Sequence, residues 1–276
     1  MRFLGFVLAG ALAASGAAAR PLDAVQKSGT LRVTVYQNYK PYSWRQNDKP
    51  IGIDIDIAQA LADALHVRAN LFELRADDDV NDDLRNGVWK GTVLGDPPGD
   101  VMLHVPYDKR IEEKNDRVAL FAPYHVDGLA MFIDPAEATA ARDLSFLKAQ
   151  KAAVAVGTIG DYVLSSAHDH AYLAQVVHER TLEAAAQHFE RGDVAAFYGE
   201  ESAGQSFARA GKRPFAVVYP DVQLGETWTM GVAVKSDSRD LGREIAKTID
   251  ELANDGKLEK IFAAYGVDWR KPEAAR

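Results

Sequence analysis

The stretch GTLRVTVYQNYKPYSWRQNDKPIGIDIDIAQALADAL, residues 29–65, holds one complete strand-then-helix unit, and the rest of the chain is read outward from it. LRVTVY, from Leu31 to Tyr36, is a short β-branched run and reads as a strand. In the segment that follows, Ile57, Leu61, Ala64 and Leu65 share one helical face, with Asp54 as the N-cap. A second unit begins at AAVAVG, Ala152 to Gly157, a buried-strand pattern that enters a helix after Thr158. TLEAAAQHFERG then gives a helix capped by Thr181 and stopped by Gly192, and VAAFYG, Val194 to Gly199, is the next strand. Such alternation predicts an α/β fold with parallel sheets flanked by helices, and two series predict two lobes. FAPYHVDGLAMFI and TWTMGVAV read as extended segments, so the chain is expected to cross from lobe one to lobe two and back. The last helix, KLEKIFAAY after the Asn254-Asp255-Gly256 turn, is expected to return to lobe one. The expected lobes are residues 22–126 with 225–270, and residues 127–224.

Composition narrows the class. The 276 residues are 47% hydrophobic and 26% charged, a balance that supports a sizeable core. Aspartate and glutamate outnumber lysine and arginine by 40 to 32, for a formal charge of -8, which argues against a nucleic-acid partner. Arg2, the apolar run from Phe3 to Ala14 and the small residues Ala17, Ala18 and Ala19 read as a signal peptide over residues 1–19, so a periplasmic location is expected. No later stretch approaches the roughly 18 consecutive apolar residues of a membrane span. With no cysteine there is neither a disulfide nor thiol chemistry.

The order GTLRV, PYSW, IGIDIDIAQALADAL, VGTIGDYVL and ELANDGKLEKIFAAYGV resembles the periplasmic solute-binding proteins of the polar amino-acid type, extracellular solute-binding protein family 3, over nearly all of residues 28–269. The resemblance implies a type II periplasmic-binding-protein fold: two lobes joined by two crossing strands, closing on a small polar molecule delivered to an ABC permease. It implies ligand contacts for Tyr39, Tyr42 and Trp44 as aromatic covers, although these rings also fit packing under their loop. It places Thr158, beside Gly157, at a helix start that binds a carboxylate, and the same residue fits an ordinary N-cap. Where the family carries Thr-x-x-Arg, this chain has HVPYDKR: Arg110 either keeps the bidentate carboxylate contact or is a solvated surface cation, with His104 and Tyr107 beside it. Where the family ends a strand with Asp-Glu-Pro, this chain reads FYGEESAG, which puts Glu200 or Glu201 at the amino-group pole.

Both poles are therefore altered, and an ordinary α-amino acid held by the usual clamp is not expected. Five aspartates between Asp77 and Asp83 invite a metal, but DDLRN reads better as an acidic helix start. His168 to His170 reads as a polar loop. The reading includes no cofactor, no metal and no catalytic residue. The altered motifs and the Tyr198-Gly199 strand end also resemble periplasmic accessory proteins of quinoprotein alcohol or methanol dehydrogenases, which makes such a dehydrogenase the alternative partner. A third possibility implied by resemblance is a cyclohexadienyl-dehydratase-like enzyme with Glu200 or Glu201 as its acid.

Overall fold

The structure, a computed structural model, describes residues 20–221 and 227–273; the expected leader over residues 1–19 lies outside the described residues. The chain runs α1 (Leu22–Ser28), β1 (Thr30–Tyr36), β2 (Trp44–Gln46), β3 (Lys49–Ile51), α2 (Ile53–Ala64), β4 (Arg68–Leu74), α3 (Val80–Leu84), β5 (Val101–Pro106), α4 (Lys109–Lys114) and β6 (Val118–Asp127). It continues with β7 (Leu129–Ile133), β8 (Ala152–Ala155), α5 (Ile159–His170), β9 (Val176–Glu179), α6 (Leu182–Arg191), β10 (Ala196–Glu200), α7 (Glu201–Ala210) and β11 (Ala216–Val218). After the segment 222–226 come β12 (Trp228–Lys235), α8 (Arg239–Asn254) and α9 (Lys257–Ala264).

Two five-stranded sheets result, in the orders β4-β1-β5-β12-β6 and β11-β7-β10-β8-β9. They are mixed rather than parallel, which corrects the sequence-based expectation. β4, β1 and β5 run together, as do β10, β8 and β9, but β12 and β7 are antiparallel to both of their neighbours. The cause is the crossing itself. β7 leaves the crossing with Ala130 opposite Gly199, near the end of β10, and β12 enters with Met230 opposite Pro106, the end of β5. A strand that enters a sheet where the parallel strands finish has to run against them.

Each sheet buries both faces, which is why the strands read as continuous apolar runs. In lobe one Leu31, Val33 and Val35 face a core completed by Ile57 and Leu61 of α2, Ile245 of α8 and Phe262 of α9, while Phe72, Met102 and Val105 face a second cluster with Leu84 and Val88. In lobe two Met131, Val154 and Tyr198 face one core, and Phe132, Phe197 and Phe189 the other. The predicted return of α9 to lobe one follows from Leu258 and Phe262, both fully buried in the first core. Thr181 and Gly192 bound α6 as the sequence suggests: the Thr181 hydroxyl accepts from the Ala184 amide, and Gly192 takes a left-handed conformation.

Two helix starts differ from expectation. Asp54 does not cap α2; Gly52 does, and the orphan amides of Ile53 and Asp54 donate to the carbonyls of Pro41 and Tyr42. The preceding loop thus caps the helix with its own backbone, which frees Asp54 to be buried at the second helical position. Ala64 is exposed, because the buried stripe runs through Ile57, Ala58, Leu61, Ala62 and Leu65. In the acidic tract, the helix starts earlier than DDLRN suggests, at Val80, with Asp79 accepting from the Asn81 amide.

Gly52 has a φ of 134°, and a Cβ there would lie 2.2 Å from the Tyr42 carbonyl oxygen. Gly52→Ala is expected to lower stability by roughly 3 kcal/mol, from backbone strain and overpacking together. Gly29→Ala, at φ 66° with nothing within 4 Å, is expected to cost only about 1 kcal/mol. Urea denaturation of the two variants measures the difference, and equal losses would refute the close-approach argument.

Candidate functional site

The first crossing runs from Asp127 through Gly128 to Leu129, and the polar groups of both lobes gather there. Residues 37–43 fold into a tight turn, with the Tyr39 amide donating to the Ser43 carbonyl and the Tyr42 amide to the Tyr39 carbonyl. That turn stacks Tyr39 on Tyr42, ring centroids 5.5 Å apart, and points both hydroxyls across the cleft. Tyr39 donates to Glu200 Oε2 at 2.9 Å, and Tyr42 donates to Asp127 Oδ2 at 2.8 Å.

His104 sits behind these rings because β5 is irregular. Val101 and Leu103 face one core, but Val105 shares the other with Met102, so the alternation slips by one residue at His104. His104 has φ 61°, and the facing strand β12 shifts register between Gly231 and Ala233. Freed from the ladder, the His104 amide donates to Tyr124 Oη at 3.0 Å, and Tyr124 Oη donates to Asp54 Oδ1 at 3.2 Å. Asp54 Oδ2 lies 3.5 Å from His104 Nδ1, too long for a hydrogen bond. Among the described residues this oxygen and both His104 ring nitrogens are buried without a hydrogen-bond partner. The imidazole is lined by Tyr42, Tyr39 and Tyr36 at centroid distances of 4.0, 4.9 and 6.3 Å.

The site is acidic as well as aromatic. Burial and the neighbouring Asp127 carboxylate raise the Glu200 pKa, with the Tyr39 hydroxyl and His104 acting against them. Asp83, which accepts from Tyr36 Oη at 2.8 Å, is also raised by burial. Burial beside these carboxylates keeps Tyr36, Tyr39, Tyr42 and Tyr124 protonated well above the ordinary tyrosine range. The Tyr39 and Tyr42 hydroxyls therefore keep their protons, and each donates to a carboxylate.

On the hinge side, Asp127 Oδ1 accepts from the amides of Gly128 at 2.8 Å and Ser202 at 3.2 Å, the latter in the first turn of α7. The Arg270 amide donates to His125 Nδ1, which leaves Nε2–H to donate to Ser202 Oγ at 3.0 Å. Glu201 accepts from Tyr219 Oη and Gln205 Nε2 and pairs with Arg270 Nη2 at 3.0 Å; burial raises its pKa.

Of the sequence-predicted residues, the structure brings Tyr39, Tyr42, His104 and Glu200 together, with Glu201 one position further on the hinge side. Four others are elsewhere. Trp44 packs edge-on against Tyr265 of lobe one, 5.6 Å between centroids. Tyr107 is partly exposed and covers Gly231. Arg110 lies in α4 with its side chain 85% exposed and pairs at 2.6 Å with Asp108, the cap of its own helix, a placement that matches the surface-cation alternative. Thr158 caps α5, but the anion place beside it is filled from within: Asp161 donates its amide to Thr158 Oγ1 and accepts from the Gly157 amide at 2.9 Å. The acidic tract is also internal, since Asp79 caps α3 and Asp83 binds Tyr36 and the Asp77 amide. His168 and Asp169 sit in a left-handed kink at the end of α5.

Sequence reasoning missed Asp54, Tyr124 and Asp127. Asp54 carried a signal: it is three, four and seven residues before Ile57, Ala58 and Leu61, so it lies on the buried stripe, where an unpaired carboxylate is costly. Asp127, charged inside an apolar crossing segment, carried the same kind of signal.

No protein-family model and no curated protein matches this chain. Solved structures do. An ancestral cationic amino acid solute binding protein superposes with a TM-score of 0.69 over 89% of this chain and 99% of its own, at 21% identity. An amino acid ABC transporter substrate-binding protein from Streptococcus pneumoniae bound to L-arginine gives 0.61 over 90% and 99%, also at 21% identity. The fold is that of a two-lobed type II periplasmic binding protein. An ancestral cyclohexadienyl dehydratase shares this fold too, with a TM-score of 0.53 at 19% identity over 88% of this chain and 95% of its own.

Burial, against the pull of Asp127, lowers the His125 pKa to about 4. A histidine depressed below its unfolded value of about 6.5 contributes stability that is full above that value and is lost as pH falls toward 4. The contribution is on the order of 3 kcal/mol. The His125 ring-proton resonance is expected to stay unshifted down to about pH 5; a midpoint near the unperturbed value would mean that the hinge is open to water.

Proposed function

We propose that this chain is a periplasmic solute-binding protein whose lobes, residues 22–126 with 225–270 and residues 127–224, close around a small polar ligand for uptake by an ABC permease. The observation that carries the reading is the pair of tyrosines in one loop of lobe one. Tyr39 reaches Glu200 on the other lobe, and Tyr42 reaches Asp127 at the crossing. Closure thus assembles a polar, aromatic site that neither lobe holds alone, and a ligand with more contacts in the closed form than in the open form shifts the balance toward closure. Lys40 and Glu183 meet across the same gap at 3.0 Å with both side chains substantially exposed, so their pair contributes at most about 1 kcal/mol and leaves the lobes free to part. The solute-binding proteins with this fold that act on amino acids support the reading.

A second reading draws on Glu200. A buried carboxyl with a raised pKa facing His104 is a proton donor in a cleft, which an enzyme that eliminates water requires, and a dehydratase is among the proteins with this fold. The binding reading is preferred because the carboxylate acting on Glu200 is that of Asp127, which repels an anionic substrate.

The test uses the absence of native cysteines. Lys40→Cys with Glu183→Cys, joined by a short thiol-reactive cross-linker, should hold the lobes shut. A thermal-shift screen of the unlinked protein should find a solute that stabilises it by about 2.7 kcal/mol at a hundred times its dissociation constant. The linked protein should take up that solute far more slowly, and uptake at an unchanged rate would remove the clamp. Mass spectrometry of the recovered solute separates the readings: unaltered solute supports binding, and loss of water supports the enzyme.

A further inference from the structure

Resting on the solute-binding reading, we infer that the cleft is a receptor for a small organic cation that has no α-carboxylate, a primary amine or a guanidine. The cationic end has a built seat. Asp54 Oδ2 and the ring nitrogens of His104 are buried polar atoms without hydrogen-bond partners among the described residues. Such atoms are costly in a protein interior unless something completes them. A carboxylate oxygen without a partner is an acceptor, and a charged amine supplies the missing donor. Around them stand three tyrosine rings, Tyr36, Tyr39 and Tyr42, each meeting the imidazole edge to face, and aromatic rings of this kind attract cations. Tyr39 and Tyr42 link this seat to Glu200 and Asp127, whose carboxylates add negative charge on the far side.

The carboxylate end, by contrast, is already occupied by the protein. The Asp161 carboxylate accepts from the Gly157 amide and from Ser165 Oγ at 2.9 Å, while the Asp161 amide donates to Thr158 Oγ1, whose own proton goes to the Ala155 carbonyl. Arg110 stands exposed on α4 and pairs with Asp108. An amino acid entering this cleft would bring a carboxylate toward Asp54, Asp127 and Glu200, while Arg110, Lys40 and Arg270 are each already paired with a carboxylate of the chain, and burying an uncompensated charge is strongly unfavourable. Removing the carboxylate from the ligand removes that penalty and keeps the attraction.

Matched pairs that differ only by the carboxylate test this: agmatine against L-arginine, and cadaverine against L-lysine, by calorimetry with the full mature chain. The decarboxylated member of each pair is expected to bind at least about tenfold more tightly. Glu200→Gln and Asp54→Asn, each checked for folding by its melting curve, should each weaken the amine about tenfold, whereas Arg110→Ala should leave it unchanged. The charge partners also set a direction with pH. Glu200 faces Tyr39, Asp127 and His104, and protonation of Glu200 removes a negative charge that attracts a cation, so affinity should fall on acidification. Equal or tighter binding of the amino acids, or loss of binding in Arg110→Ala, overturns the inference and leaves the solute-binding reading standing. Binding of anions or neutral solutes alone does the same. If no solute of any class binds, both fail.

Discussion

The Asp127 carboxylate is the constraint on which the rest depends. It lies at the point where the chain leaves one sheet for the other, and its two oxygens take the Gly128 and Ser202 amides on one side and the Tyr42 hydroxyl on the other. One buried group thereby fixes the exit of β6, the first turn of α7 and the aromatic loop before β2. A buried carboxylate is tolerable when its acceptor sites are filled by oriented donors, and here two amides and a hydroxyl do so. The irregular geometry of the site follows from the same place, because α7 begins at Glu201 directly after the Glu200 that Tyr39 reaches.

The fold was legible because it rests on periodicity. The runs at Leu31 and Ala152, the caps at Thr158 and Thr181 and the stop at Gly192 each have a local cause that a neighbouring segment does not alter. Strand direction was not legible in the same way: β7 and β12 run against their neighbours because of where the crossing delivers them, which is a property of two distant segments. The candidate site was legible only in part for a related reason. Tyr39 and Tyr42 announce themselves as aromatics in a Pro-containing turn, but the use of Arg110 and Thr158 depends on Asp108 and Asp161, short-range partners that satisfy them first. His104 is a strand residue by pattern, and its left-handed conformation arises from a register slip that no single strand's sequence displays.

Asp54 and His104 show how a fold accommodates an expensive pair. Asp54 is in the first turn of α2, where the helix dipole favours negative charge, and Tyr124 satisfies one of its oxygens. The other oxygen and the imidazole remain incomplete behind three rings, and the histidine carries backbone strain of about 1–3 kcal/mol as well. Strain and unsatisfied polarity at one residue, facing the opposite lobe, separate a working surface from a merely structural one.

The C-terminal segment beyond α9 lies along the crossing rather than across the cleft mouth. The Val126 amide donates to the Arg270 carbonyl, Trp269 Nε1 to the Tyr124 carbonyl, and Arg209 of α7 reaches the Gly266 carbonyl and Asp268. Bonds near a rotation axis have short lever arms and lengthen little when two bodies swing apart, while a contact such as Lys40 with Glu183 has to break. In the proposed clamp, the tail would be a third leaf of the hinge, stiffening it against shear and twist while leaving the opening rotation soft, so that the same two surfaces would meet at each closure.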